Sequence, residues 1–86
     1  MKRYESWGAM LAQEVEKAGD TIVSSTLTRS QSSNQFNSGF GSTKGCAFTA
    51  WGEKYVYFPA TYDGAEWVAK VPRNPCDEPT EHIGGG

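Results

Sequence analysis

Apolar residues recur along this chain with two different periods, one helical and one alternating. Tyr4, Trp7, Leu11, Val15 and Ala18 follow one another at steps of three or four, which lines one face of a helix. The spacing predicts a helix over 4–18. Glu5 near its start and Lys17 near its end suit the helix dipole, and Gly19 is placed to close it in the left-handed conformation. The stripe is expected to pack on a sheet, with a partner-binding helix as the alternative. From Thr21 to Thr28 the residues are β-branched and alternate, which reads as a strand. Val23 and Leu27 share one face with Ser25 between them. So little apolar bulk predicts a position at the sheet edge.

Residues 29–45 are polar and Gly-rich. They are open to two readings, a long loop or a short helix capped by Ser30, running through Phe36 and stopped at Gly39. The need to bury Phe36 and Phe40 favours the helix.

Residues 46–71 read as a β-meander: Cys46 to Trp51, Lys54 to Ala60, and Glu66 to Val71. Gly52-Glu53 suits a type II′ turn and Asp63-Gly64 a type I′ turn. Those turns pair Trp51 with Lys54, Thr49 with Val56, Tyr62 with Ala65, Ala60 with Trp67 and Phe58 with Ala69. One face then collects Ala47, Thr49, Trp51, Val56, Phe58, Ala60, Trp67, Ala69 and Val71, and is expected to be the core under the helix. The other collects Cys46, Phe48, Tyr55, Tyr57, Glu66, Val68 and Lys70. Pro72, Pro75 and Pro79 then rule out regular pairing, and the Gly-rich end suits a tail. The expectation is an α+β fold: an N-terminal helix on a small antiparallel sheet, made of a three-stranded meander plus one edge strand. Residues 1–73 form the domain and 74–86 the tail.

Composition narrows the function classes. Eighty-six residues hold one core. Eight basic against ten acidic residues give a net charge of −2, which argues against direct nucleic-acid binding and against an acidic DNA mimic. Lys2-Arg3 followed by an amphipathic helix is not a secretory signal, and no apolar run is long enough to span a membrane. Cys46 and Cys76, thirty positions apart, are expected to be reduced thiols of a cytoplasmic protein, with one bridge as the alternative.

Candidate chemistry is sparse. Gly39-Phe40-Gly41 with Lys44-Gly45 lacks the order of a phosphate loop and the flanking residues of an RNA-stacking strand. His82, Cys46, Cys76 and Asp77 lack the short paired spacing of a zinc site, and no third group orients a cysteine–histidine pair. Neither catalytic residues nor a cofactor or metal is therefore expected. Gly84-Gly85-Gly86 resembles the end of ubiquitin-like carriers, but those begin with a hairpin rather than a helix.

The run from Phe48 to Val68, with Val71-Pro72-Arg73-Asn74-Pro75 and the His82-Ile83-Gly84-Gly85 end, resembles small accessory proteins of tailed bacteriophages and prophages. The resemblance covers residues 45–86. It implies a protein acting in the bacterial host cytoplasm, and with it an inhibitor or modulator of a bacterial protein machine. Host takeover and anti-defence, anti-CRISPR activity included, are the natural roles. From the residues themselves, a non-enzymatic protein-binding module is expected. Its binding surface would be the aromatic second face, Phe48, Tyr55, Tyr57, Glu66, Val68 and Lys70, with cover of that face by the 29–45 segment or the tail as the alternative. Two alternatives stand: a structural or self-assembling phage component, homodimer included, and a Gly-Gly-tailed carrier.

Overall fold

The computed structural model describes residues 4–37, 45–62 and 65–83. The chain begins in an extended segment, β1 (Tyr4–Ser6), and enters helix α1 at Trp7, which runs to Ala18. The start lies three residues later than the periodicity suggests because Ser6 is the cap. Its backbone is extended and its hydroxyl accepts the Ala9 amide at 3.2 Å. Gly19 ends the helix at φ 62°, and its amide reaches back to the Glu16 and Val15 carbonyls, as expected from its position.

The edge strand is shorter than the 21–28 run. It is β2 (Ile22–Ser25), with a bulge between Ile22 and Ser24 that leaves Val23 61 % exposed. The polar segment does form a short helix, α2 (Arg29–Ser33), but its cap is Thr28, two residues earlier than Ser30, and it ends at Ser33 instead of running through Phe36. Thr28 and Gln31 close a reciprocal capping box, with bonds of 3.1 and 3.0 Å. The chain then turns extended as β3 (Gln35–Asn37), which pairs antiparallel with β1. Phe36 is buried as its size demands. Phe40 and Gly39 lie outside the described residues.

The meander is β4 (Ala50–Gly52), β5 (Tyr55–Tyr62) and β6 (Ala65–Pro72). With β2 it forms one antiparallel sheet in the order β2-β4-β5-β6, so β2 is an edge strand as expected. The architecture is α+β, an N-terminal helix and antiparallel sheets. The second hairpin has the expected register: Tyr62 pairs with Ala65, Ala60 with Trp67 and Phe58 with Ala69. Asp63 and Gly64 themselves lie outside the described residues.

The first hairpin does not have the expected register. Trp51 pairs with Val56 and Ala50 with Tyr57, so Glu53-Lys54 rather than Gly52-Glu53 makes the connection. The cause is a carboxylate from elsewhere in the chain. Asp20, just past α1, accepts the Lys54 amide at 3.0 Å and the Tyr55 amide at 3.1 Å. Gly52 serves this contact by lacking a side chain, since a Cβ there would overlap the Asp20 carboxylate.

The helix covers the opposite face of the sheet from the one expected. The core joins Trp7, Met10 and Leu11 of α1 with Phe36, Phe48, Ala50, Tyr57 and Val68. Phe48, Tyr57 and Val68 had been assigned to the outward face. A shift of two in the first register preserves the sorting of the strand residues into two sets, whose roles are exchanged; Cys46 to Thr49, expected to open the first strand, precede β4 and lie in no strand. Alternation divides a strand's residues but does not say which division a helix will meet. That is decided by Trp7. Its ring packs on Phe36 and Phe48 with centroids 5.0 Å from each, and its Nε1 donates to the Cys46 carbonyl at 2.9 Å. Gly45 makes room, because a Cβ there would come within 2.5 to 2.8 Å of the Trp7 and Phe36 rings.

Candidate functional site

The two faces of the sheet do different work, and the covered one spends its polar groups on the fold. Asp20 gathers four donors: the Thr21 amide at 2.7 Å and Lys54 amide on Oδ1, and the Tyr55 amide and Tyr57 hydroxyl, the latter at 2.8 Å, on Oδ2. Burial raises the carboxyl's proton affinity, but the bonds from Thr21, Tyr57, Lys54 and Tyr55 outweigh it and hold its pKa below the usual carboxylate value. The Tyr57 hydroxyl moves the other way. Burial, the bond to Asp20 and the charge of Asp20 raise it far above a free phenol. Glu66 is 4 % exposed and accepts the Gly45 amide at 2.9 Å, on the stretch that carries Cys46 to Trp7. These groups tie α1, the 53–54 turn and the 45–46 stretch to the sheet.

The residues expected to bind a partner therefore need correcting. Phe48, Tyr57, Glu66 and Val68 are all buried under α1 and are not available to a partner in this fold. Tyr55 and Lys70 are half-buried at the rim of that face. The Lys70 ammonium stands 5.4 Å from the Tyr55 ring centre, and the Tyr55 hydroxyl donates to Glu78 of the tail at 3.2 Å. That bond, with the charge of Glu78, raises the Tyr55 pKa. These contacts tuck the tail against the rim.

The other face is the open one. Trp51, Val56, Phe58, Trp67 and Val71 stand on it, with Ala60 and Ala69 buried between them, and no described helix packs over it. Trp51 is 36 % exposed and Tyr62, further along the same face of β5, is 51 % exposed. Lys54 and Arg73 lie at one end, where the Arg73 guanidinium donates to the Gly52 carbonyl at 2.9 Å and its amide to the Lys54 carbonyl. The middle of the face carries no charge. Sequence reasoning placed these residues in the core because they are the more apolar set. The signal that pointed the other way was Tyr57, whose hydroxyl meets the half-buried Asp20 carboxylate on the covered side.

No family model, no curated protein and no solved structure matches the chain. Its function must be argued from its own side chains. Cys46 and Cys76 are exposed and unbridged. His82 is exposed in the tail, and among the described residues no three His, Cys, Asp or Glu side chains gather as metal ligands. No helix among the described residues is long and apolar enough to cross a membrane. Gly39-Phe40-Gly41, Lys44 and the terminal Gly84 to Gly86 lie outside the described residues, and the two glycine readings with them.

Proposed function

We propose that this chain is a non-enzymatic protein-binding module and that its contact surface is the open face of the sheet. The observation that carries the reading is the set Trp51, Phe58 and Trp67, large aromatics on a sheet face whose middle is uncharged and that no described helix covers. Aromatics on a rigid, pre-ordered surface make favoured interface anchors, because few rotors are frozen on binding. The engagement of the polar groups beside α1 supports a binding over a catalytic role, since Asp20, Tyr57 and Glu66 are committed to backbone and hydroxyl partners. The resemblance of residues 45–86 to phage accessory proteins supports a bacterial protein machine as the partner, met in the host cytoplasm. An inhibitor or modulator in host takeover or anti-defence, anti-CRISPR activity included, is the role it favours.

The test compares proteins co-purified from bacterial lysate by the wild type and by Trp51→Ser and Phe58→Ser variants, identified by mass spectrometry. Folding is checked by circular dichroism on the same samples. A partner captured by the wild type and lost with both folded variants is the expected result. Identical capture by all three would refute the surface. Sedimentation of the wild type addresses self-assembly, the second reading that an uncharged apolar face favours. A dimer that both substitutions dissociate would assign the face to a second copy of this chain.

A further inference from the structure

The outer edge of β6 is a surface of another kind. β6 ends the sheet order, so one side of its eight residues pairs with β5. Among the described residues, no backbone group of another element hydrogen bonds to the other side. Two grooves of about 360 and 380 Å³ run along that edge and share Glu14, Trp67 and Val68. The first lies between α1 and residues 65–68, the second between residues 67–70 and tail residues 78–83. Consecutive residues of a strand point to opposite faces, so what all of them share is the strand's edge. Six residues of edge reach about 20 Å, the length of a short extended peptide.

The grooves are acidic. On the α1 wall Glu5 and Glu14 stand against Lys17, which already lies 3.7 Å from Glu14. The tail wall adds Glu78 and Glu81. On the strand itself Glu66 turns inward, and Lys70 is drawn over the Tyr55 ring. Sheet edges are ordinarily blunted by proline and lysine. Here Lys70 and Pro72 blunt only the last residues, while Ala65 to Ala69 carry neither. A second copy would bring the same carboxylates and its own α1 into this channel. An extended chain bearing cations would be drawn in by the carboxylates of the walls.

We propose that the β6 edge accepts an extended, lysine- or arginine-bearing segment of a partner protein as a fifth strand, between the α1 and tail walls. This goes beyond the open-face reading and uses the sheet's edge, which borders the open face at Trp67. The probe is a fluorescent peptide of alternating lysine and valine, about seven residues long to match the edge, titrated against the full chain by anisotropy. Saturable binding that weakens with salt is expected, with amide chemical-shift changes centred on residues 65–70. The same peptide with alternate backbone nitrogens methylated should lose binding, because strand addition needs those donors. Glu14→Lys and Glu81→Lys, which lie on the walls and outside the core, should each weaken binding roughly fivefold. Trp51→Ser should leave it unchanged, which separates this site from the open face. The proposal is overturned by absence of saturable binding, by equal affinity of the methylated peptide, by shifts centred away from β6, or by a β6-edge dimer that excludes the peptide.

Discussion

The two faces of the four-stranded sheet are built from alternate residues of the same strands, yet the less apolar face is the buried one. The covered face holds Phe48, Ala50, Tyr57 and Val68 with the acidic Glu66, whereas the open face holds two tryptophans, Phe58 and two valines. Burial here follows satisfaction of polar atoms and fit to the helix rather than apolar content alone. Tyr57 is fully buried because Asp20 meets its hydroxyl, and Glu66 because it takes the Gly45 amide. The missing side chain at Gly52 lets the Asp20 carboxylate approach the sheet closely. Among the described residues the open face shows no such hydroxyl–carboxylate pair.

Breaking the covered face should cost the most. Tyr57→Ala removes a fully buried ring and one of the donors to Asp20, and is expected to lose about 3–5 kcal/mol in urea unfolding. Its neighbour Phe58→Ala, pointing the other way, should lose well under half of that. Equal losses would mean that both faces are covered. Gly52→Ala should come next, at about 1–3 kcal/mol, because the new methyl displaces the Asp20 carboxylate. If the glycine were needed only for a turn conformation, Asp20→Ala would leave the cost unchanged; in this fold it should relieve most of it.

Asp20 also gives the comparison a pH signature. Its folded pKa is lowered, so its contribution to stability is complete above the unfolded carboxyl value. That contribution is lost as pH falls below about 4 toward the folded value. The urea midpoint of the wild type should exceed that of Asp20→Asn by a constant amount near neutrality, and the gap should close in acid. A gap that widened in acid would contradict the hydrogen-bond arrangement. The smallest effect is expected on the open face, where Trp51→Ser should shift stability by less than about 1 kcal/mol.

Much of this fold was legible in the chain. The 3.6 period marked α1, Gly19 marked its end, and weak apolar content marked β2 as an edge. The β5–β6 register is the expected one, with Tyr62 opposite Ala65. What was not legible depends on residues distant in sequence. The first hairpin is set by a carboxylate 34 positions away from the Lys54 amide it holds, which no turn preference encodes. β1 and β3 have three residues each, too few to show a period, and exist by pairing with one another. The choice of covered face rested on where Trp7 lands, at Phe36 and Phe48, and no local pattern around the meander records that. The candidate surface was lost with it: within the strands the two sets of residues were right and their roles reversed.

The most direct test of the account is a measurement of which face α1 touches. Nuclear Overhauser contacts from the Trp7 ring should run to Phe36 and Phe48, and contacts from Leu11 should reach the Tyr57 side of the sheet. Contacts from these helix side chains to Phe58, Trp67 or Val71 instead would place the apolar set in the core, return the Tyr57 face to solvent, and contradict the central claim.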